Sequence, residues 1–560
     1  MNLISKYKNY LIEYCLVILI GIFSYLTHFH NLISRFSSHI FFFSDADDAK
    51  VYVWNTWHFA SQLGKGVSTF YTDYFFYPMG SSLWMHANTI WFGLINYFVE
   101  DIELAINLGI AMQLIAAFLG FYVLSKKMVV KPLFAILVAY ISVFNTYILT
   151  KCGVHYNLVL IGVVPYVMIL VMNTFTSHNF ILKKNGTNLL ILLLLICIAF
   201  FMDYYIVFYS LSFLVIYLCW FFLLDDWFKN WNYKKTLIIL GIFLVGHFVI
   251  RLLRIWGVEE KGAIWGASDI RLLFTPSNDS LFYNEWSLTG LINNLNDNKV
   301  FIGFSLLIAL IFAVLLFIKR YKNDYISRFL LFAVISFFLI SFPSFKVNGK
   351  DLFFNFTGII HFIPLINNLR APDRFILMSI VLSSLFVFRV FYLFTRGELS
   401  LKYVFLMLFF ITGFYVDHVQ KPMNSLKTVQ CSDILSQTKG QNVLMLPYGI
   451  RDGYRMYGEF DVDQILLQIR YGFKMPSGYL SRINDKVWKY FHVDLYENLA
   501  RVQSGSLVSN FDWKSNMIKH HIDYVYIPTT YTLSNPKISI IINGLKLIDK
   551  DTNGELYLVE

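Results

Sequence analysis

The sequence predicts a helical multipass membrane protein that ends in a small α/β domain. Three observations lead there. The 560 residues are 57% hydrophobic, only 15% charged and 19% aromatic, with a mean hydropathy of +0.56. A soluble chain of this size cannot bury that much apolar surface in one core. Long apolar runs alternate with loops, and every second loop is short and basic. Beyond residue 418 the apolar runs shorten and polar turns separate them.

About eleven runs approach the roughly 17–25 residues that a bilayer requires. They lie near 10–29, 102–124, 132–150, 156–174, 188–202, 204–224, 236–256, 299–318, 329–342, 375–395 and 401–417. The first follows Lys6 and Lys8 and lacks a small-residue cleavage site, so it reads as an uncleaved span. The stretch 188–224 is too long for one straight span. Asp203, Tyr204 and Tyr205 interrupt it, which predicts two helices meeting at the outer surface. The ninth span is short and is expected to extend past these limits.

The loops set the topology. Lys126, Lys127 and Lys131 fall between spans two and three, and Lys183 and Lys184 between four and five. Lys229, Lys234 and Lys235 fall between six and seven. Lys319, Arg320, Lys322 and Arg328 fall between eight and nine, and Arg396 and Lys402 between ten and eleven. Positive charge collects in cytoplasmic loops, so these five loops and the N-terminus are predicted inside. The net charge of +10 is read as this topology rather than as nucleic-acid binding. Loops 30–101, 151–155, 257–298 and 343–374, with the turn at 203, then face outward. So does the tail. The predicted domains are a transmembrane domain, 1–417, and a soluble extracytoplasmic α/β domain, 418–560. The working surface is predicted to be extracytoplasmic: periplasmic in a Gram-negative cell, luminal in a eukaryote; a bacterial protein would sit in the inner (plasma) membrane.

The first outer loop holds Pro78, Gly80 and an aromatic cluster at 70–77. That density of rings suits the water–lipid boundary, and part of the loop is expected to form a helix along the surface. In the tail, 442–447 and 523–528 read as buried strands, 484–502 as an amphipathic helix and 555–559 as a last strand. Of five cysteines, Cys15, Cys197 and Cys219 lie in apolar runs, Cys152 ends a segment and Cys431 is in the tail. Their spacing suggests neither a metal site nor a disulfide framework.

The stretch 41–58, FFFSDADDAKVYVWNTWH, carries the candidate chemistry. Asp45, Asp47 and Asp48 sit just beyond the first span. A carboxylate beside hydrocarbon is costly, so it tends to face a cavity or a partner. In a helix, Asp45, Asp48 and Tyr52 would share a face. The plainer alternative is a helix start, with Ser44 as cap and Asp47 in the first turn.

Several short patterns occur in order. They are Asp48-x5-Trp54-x2-Trp57, Phe76-Tyr77-Pro78-x-Gly80 and Trp84-x-His86 in the first outer loop, then Gly153-x-His155-x-Asn157-Leu158. Phe274-Thr275-Pro276-x2-Asp279, Leu369-Arg370-x-Pro372-x-Arg374-Phe375 and Gly478-Tyr479-x2-Arg482 follow. Together they resemble bacterial GT-C-type membrane glycosyltransferases, over most of the chain. The resemblance implies a GT-C-like helical fold and a sugar donor carried on polyprenyl phosphate. It also implies a catalytic carboxylate in the first outer loop. Asp48 fits best by its spacing to Trp54, with Asp47 and Asp45 as the other candidates.

Phosphate leaves without protonation. Such a reaction therefore needs a base for the acceptor hydroxyl and a cation for the phosphate. Arg370 and Arg374 are the expected phosphate ligands, because guanidinium forks match phosphate oxygens. Their alternative is a headgroup anchor at a span end. Arg271 is a further phosphate candidate. Tyr52, Trp54, His86, His155 and Arg482 are candidate substrate contacts. His86 and His155 could join Asp48 around a divalent metal, although no metal motif is present. Arg389, inside span ten, reads as an inward polar contact or a snorkelling side chain. Asn278-Asp279-Ser280 and Asn355-Phe356-Thr357 match glycan acceptor sequons, which carry no meaning in a bacterium.

The expected function is transfer of a hexose or pentose, with inversion, from a polyprenyl-phosphate donor. The acceptor would be a cell-envelope glycan, lipid (lipopolysaccharide included) or protein outside the membrane. A transporter or flippase of lipid-linked saccharides would instead place charged residues deep in several spans. A surface-polysaccharide polymerase or ligase, or a non-catalytic scaffold, would share the same fold.

Overall fold

In the computed structural model, the described residues are 3–40, 47–84, 86, 89–129, 131–175, 182–225, 233–255, 268–276, 280–283, 300–362, 371–396, 398, 400–420, 433–506, 508, 510–535 and 538–560. Asp45, Ser44, Arg370, Asn278, Asp279 and Cys431 lie outside them. The chain forms two compact units. One contains Met1–Ile33, Ile110–Cys152 and Leu158–Met423; the other contains Ser34–Gly109, Gly153–Asn157 and Asn424–Glu560.

The first unit is helical. Helices occupy all eleven positions read from the sequence. Seven helical stretches are long and apolar enough to cross a membrane: Lys8–His28, Ile102–Met128, Tyr156–Thr174, Tyr204–Leu224, Phe304–Tyr321, Pro372–Thr395 and Leu401–His418. The helices Pro132–Val143 and Tyr325–Ser341 and the stretches Gly186–Met202 and Leu240–Leu252 are apolar but shorter. The chain is an integral membrane protein by these criteria; a count of eleven crossings goes beyond them.

The helix Ile376–Thr395 is the core of this unit. It packs against Tyr325–Ser341, Phe304–Leu316 and Pro132–Val143, and almost every side chain from Ile376 to Phe388 is buried. Leu401–His418 is its opposite. Phe409 is 79% exposed, as a ring facing lipid would be. Arg389 sits near the end of the central helix. Its guanidinium takes Asp324 at 2.8 and 3.2 Å and donates to the Met128 carbonyl at 2.8 Å. It ties three helix ends together, which is a structural duty.

Two local features depart from the simple spans. The run 132–150 is broken at Asn145. Its side chain accepts from Ile148 N–H at 3.2 Å and donates to the Ile141 and Ser142 carbonyls at 3.1 Å. An asparagine that satisfies both helix ends starts a second helix, Thr146–Lys151. The 343–374 region also holds a hairpin, Ser344–Val347 with Lys350–Phe354. Its turn is Asn348-Gly349, both at positive φ, the pair that a two-residue hairpin turn favours. At Asp203 the expected break is present. Its carboxylate caps Tyr205 N–H at 2.7 Å and opens the helix Tyr204–Cys219.

The second unit is α/β. Four strands run in the order Lys546–Lys550, Gly554–Leu558, Tyr524–Pro528, Val443–Met445. The last pair is parallel and the others antiparallel. The expected strands at 442–447, 523–528 and 555–559 are all present. The expected helix over 484–502 is two helices, Asp485–Tyr490 and Asp494–Gln503. The second buries Leu495, Leu499 and Val502 at helical spacing. A second sheet joins Gly449–Arg451 to Met456–Gly458 and, in parallel, to Gly478–Tyr479.

Most of loop 30–101 belongs to this unit too. Its helix Asp47–Gly64 packs on the helices Ile90–Val99 and Asp463–Tyr471. Trp54, Phe75 and Phe76 share one apolar core with Val443, Leu444, Ile465 and Phe491. Residues 74–77 also run as a short backbone pairing with 475–477, through Met475 N–H to the Tyr74 carbonyl at 2.9 Å and Tyr77 N–H to the Met475 carbonyl at 3.1 Å.

Candidate functional site

Asp47 and Asp48 open the helix Asp47–Gly64 and form its first turn. The unpaired N–H groups and dipole of a helix start favour negative charge there. Four residues on, Tyr52 lies on the same face. That face meets the short segment 153–157. His155 Nε2 is 3.0 Å from Asp48 Oδ2. The Tyr52 ring lies 6.0 Å from His155 and 6.1 Å from Tyr156. The Asp48 side chain remains 37% exposed.

The tail reaches the same acids. The Tyr479 hydroxyl donates to Asp48 Oδ1 at 2.7 Å. Arg451 Nη1 donates to Asp47 Oδ2 at 2.8 Å, and its guanidinium lies 4.6 Å over the Tyr479 ring. The carboxylate of Asp48 is therefore held by both oxygens from two different segments. Arg451 carries no sequence motif, and Tyr479 entered only as part of a short pattern. Neither stood out as a site residue from the sequence.

His86 is a brace. Ser481 N–H donates to its Nδ1 at 2.9 Å, which fixes the neutral tautomer, and Nε2 meets Asn55 Oδ1 at 3.0 Å. Burial pushes this imidazole down to about 3, against the pull of Asp48. With both nitrogens engaged it has none to offer a metal shared with Asp48. Among the described residues, no group of three or more His, Cys, Asp or Glu side chains could hold a metal ion. His58 lies one helical turn beyond Trp54 and is also pushed down by burial, to about 4. A cavity of about 20 Å³ lies between Asn55, His58, His86 and Thr89. It holds a water molecule at most, and a sugar needs an order of magnitude more room.

Trp54 is a core residue. It is fully buried, its indole N–H donates to Gln468 Oε1 at 2.5 Å, and its ring stacks on Phe75 at 4.1 Å. The Arg482 guanidinium stacks 4.3 Å over Tyr454 and donates to its hydroxyl and to the Ser481 carbonyl.

Arg271 and Arg374 belong to the helical unit. The Arg271 fork is engaged by Asp269 at 2.9 and 2.7 Å. Burial opposes ionisation of Asp269, but bonds from the Arg271 side chain and N–H and from Asn348 N–H hold its carboxyl below the usual range. Arg374 lies 4.4 Å over the Tyr205 ring, and its carbonyl accepts from the Tyr209 hydroxyl at 2.9 Å.

No family model matches this chain, and no curated protein does. Solved structures do. The chain is similar to the arabinofuranosyltransferase AftD from mycobacteria, with a TM-score of 0.52 and 10% identity over 98% of this chain. It spans 41% of that protein's length. A weaker likeness, with a TM-score of 0.47 and 11% identity, links 92% of this chain to 69% of the Archaeoglobus fulgidus oligosaccharyltransferase in its apo form. Both are GT-C-type membrane glycosyltransferases. At this identity the first likeness establishes the fold, which is the GT-C-like fold that the sequence patterns led one to expect.

Proposed function

We propose that this chain is a membrane glycosyltransferase that moves a sugar from a polyprenyl-phosphate donor to an acceptor on the extracytoplasmic side. The single observation that carries the reading is the Asp48 carboxylate: half-open to solvent, at a helix start, and aimed by His155 and Tyr479. Asp48 takes the proton of the acceptor hydroxyl. The acceptor oxygen bonds to the anomeric carbon as the bond from that carbon to the phosphate oxygen breaks. The lipid phosphate leaves as an anion, and direct displacement inverts the anomeric centre. Asp47, paired with Arg451, lies beside the base, and Tyr52 and His155, packed next to it, are the proposed substrate contacts. Arg374 and Arg370 are the proposed cations for the phosphate, chosen for their fork geometry. The membrane body is proposed as 1–417 and the outer soluble body as 418–560, with loop 30–101 carrying the acids. The sugar is a hexose or pentose of the bacterial envelope, at the inner membrane.

Sealed, right-side-out vesicles containing the protein test base and side together. They are given farnesyl-phosphoryl mannose, glucose, galactose and arabinofuranose with short alkyl glycosides as acceptor alcohols, and release of farnesyl phosphate is followed. We expect release with at least one donor, and a loss of about 10²–10⁴-fold in Asp48→Asn at equal protein level. Full activity of Asp48→Asn would remove the base. Activity confined to inverted vesicles would remove the side.

A further inference from the structure

We propose that Tyr479, steadied by Arg451, is a positioning residue for Asp48, so that the C-terminal body is a working part of the transferase. The proposal rests on the reading of Asp48 as base. Its own basis is how firmly the Tyr479 hydroxyl is delivered.

Tyr479 ends the short strand Gly478–Tyr479, which is fixed at four points. It pairs in parallel with Gly449–Arg451, Ile450 opposite Gly478 and Arg451 opposite Tyr479. Leu480 N–H donates to the Arg451 carbonyl at 3.2 Å. Ser481 N–H donates to buried His86 at 2.9 Å. Gly478 lies so close to the Phe75 ring that an added Cβ would sit 2.9 Å from it. The Arg451 side chain then bridges Asp47 and the Tyr479 ring. It neutralises the acid next to the base and presses on the ring whose hydroxyl holds the base.

The consequence is geometric. His155 and Tyr479 grip opposite oxygens of one carboxylate, at 3.0 and 2.7 Å. With both in place the carboxylate plane is set. Removing the tyrosine hydroxyl takes away the bond on Oδ1 and shifts the rest position of χ2, which is a broad, soft torsion. A base off its line costs turnover and not substrate affinity.

The test uses the full-length protein in nanodiscs with the four farnesyl-phosphoryl sugars named above and short alkyl glycosides as acceptor alcohols. Tyr479→Phe should lower kcat about 10- to 100-fold, leave KM within about twofold, and leave the thermal unfolding midpoint unchanged. Arg451→Ala should act in the same direction and Arg451→Lys should recover part of the loss. Combining Arg451→Ala with Tyr479→Phe should add little, because both act through one carboxylate. Arg455→Ala is the control: that guanidinium stacks on Trp488 and pairs with Asp452 and Asp485.

Full kcat in Tyr479→Phe while Asp48→Asn is dead overturns this proposal and leaves the base in place. An equal kcat loss in Arg455→Ala also overturns it, since the effect would then be general packing. Full activity in Asp48→Asn, or no turnover of any donor by the wild type, overturns the reading beneath it.

Discussion

His86 shows how a residue can read as chemistry and serve as structure, and His58, buried in the same unit, serves structure too. A histidine in the same loop as a cluster of acids suggests a ligand or a proton carrier. Here both imidazoles are buried and held neutral, pushed down to about 3 and about 4. The unfolded chain binds their protons near the ordinary value of about 6.5, so between that pH and about 4 the unfolded state holds more protons. Stability from these residues is fully present above about pH 6.5 and is lost as pH falls toward the folded values. At pH 5 each costs about 2 kcal/mol relative to pH 7. Thermal unfolding of the detergent-solubilised protein should show a clear loss between pH 7 and pH 5. His86→Gln should lower the pH 7 midpoint and flatten that slope. An equal slope in the variant would mean that His86 does not carry the effect. The same scale shows what single residues revealed in advance. Asp48 and Tyr52 were paired by helical spacing, and they share a face. The partner His155 comes from far along the chain, and Arg451 from farther still. Spacing cannot reveal contacts that only the fold creates.

At the scale of elements, the strand Gly478–Tyr479 matters more than its length suggests. It has no room to move: Gly478 lies against Phe75, whose ring stacks on Trp54. Gly478→Ala would put a methyl 2.9 Å from that ring. Overpacking of this kind costs about 1–3 kcal/mol, and the strand must shift to accommodate it. The unfolding midpoint should fall, and kcat should fall with it as Tyr479 moves off Asp48. Unchanged stability and turnover would show that the close approach is not tight. Trp54 illustrates why such elements were hard to read. Trp54 and Trp57 at helical spacing suit a membrane boundary as well as a core; for Trp54, full burial, the Phe75 stack and the bond to Gln468 from the tail decide for the core. Asn145 posed the reverse difficulty. Inside an apolar run its hydropathy is averaged away, yet its three hydrogen bonds end one helix and start the next. Strands over 443–445, 524–528 and 554–558 were legible because short apolar runs between polar turns are a local signal.

At the scale of the molecule, sequence order and folding units diverge. The hydropathy pattern divides the chain near residue 418, and the helices do fall where the apolar runs predicted them. The tail, however, builds its core with parts of loop 30–101. Trp54, Phe75 and Phe76 are all fully buried in that shared core. Burying such side chains is worth about 1.5–3 kcal/mol each. Three of them rival the about 5–15 kcal/mol that holds a typical domain folded. The backbone is shared as well. Met475 and Tyr77 pair across the two segments, and Gln468 donates to the Tyr74 carbonyl at 2.8 Å. Residues 433–560 expressed alone would expose that apolar face and leave those bonds to water. We therefore expect the isolated tail to lack a cooperative thermal transition and to show poor dispersion of its amide resonances. Joining residues 47–84 to it through a flexible linker should restore both. A tail that folds cooperatively by itself would show that the loop is a guest on a finished domain. In that case the delivery of Tyr479 to Asp48 would depend on docking alone.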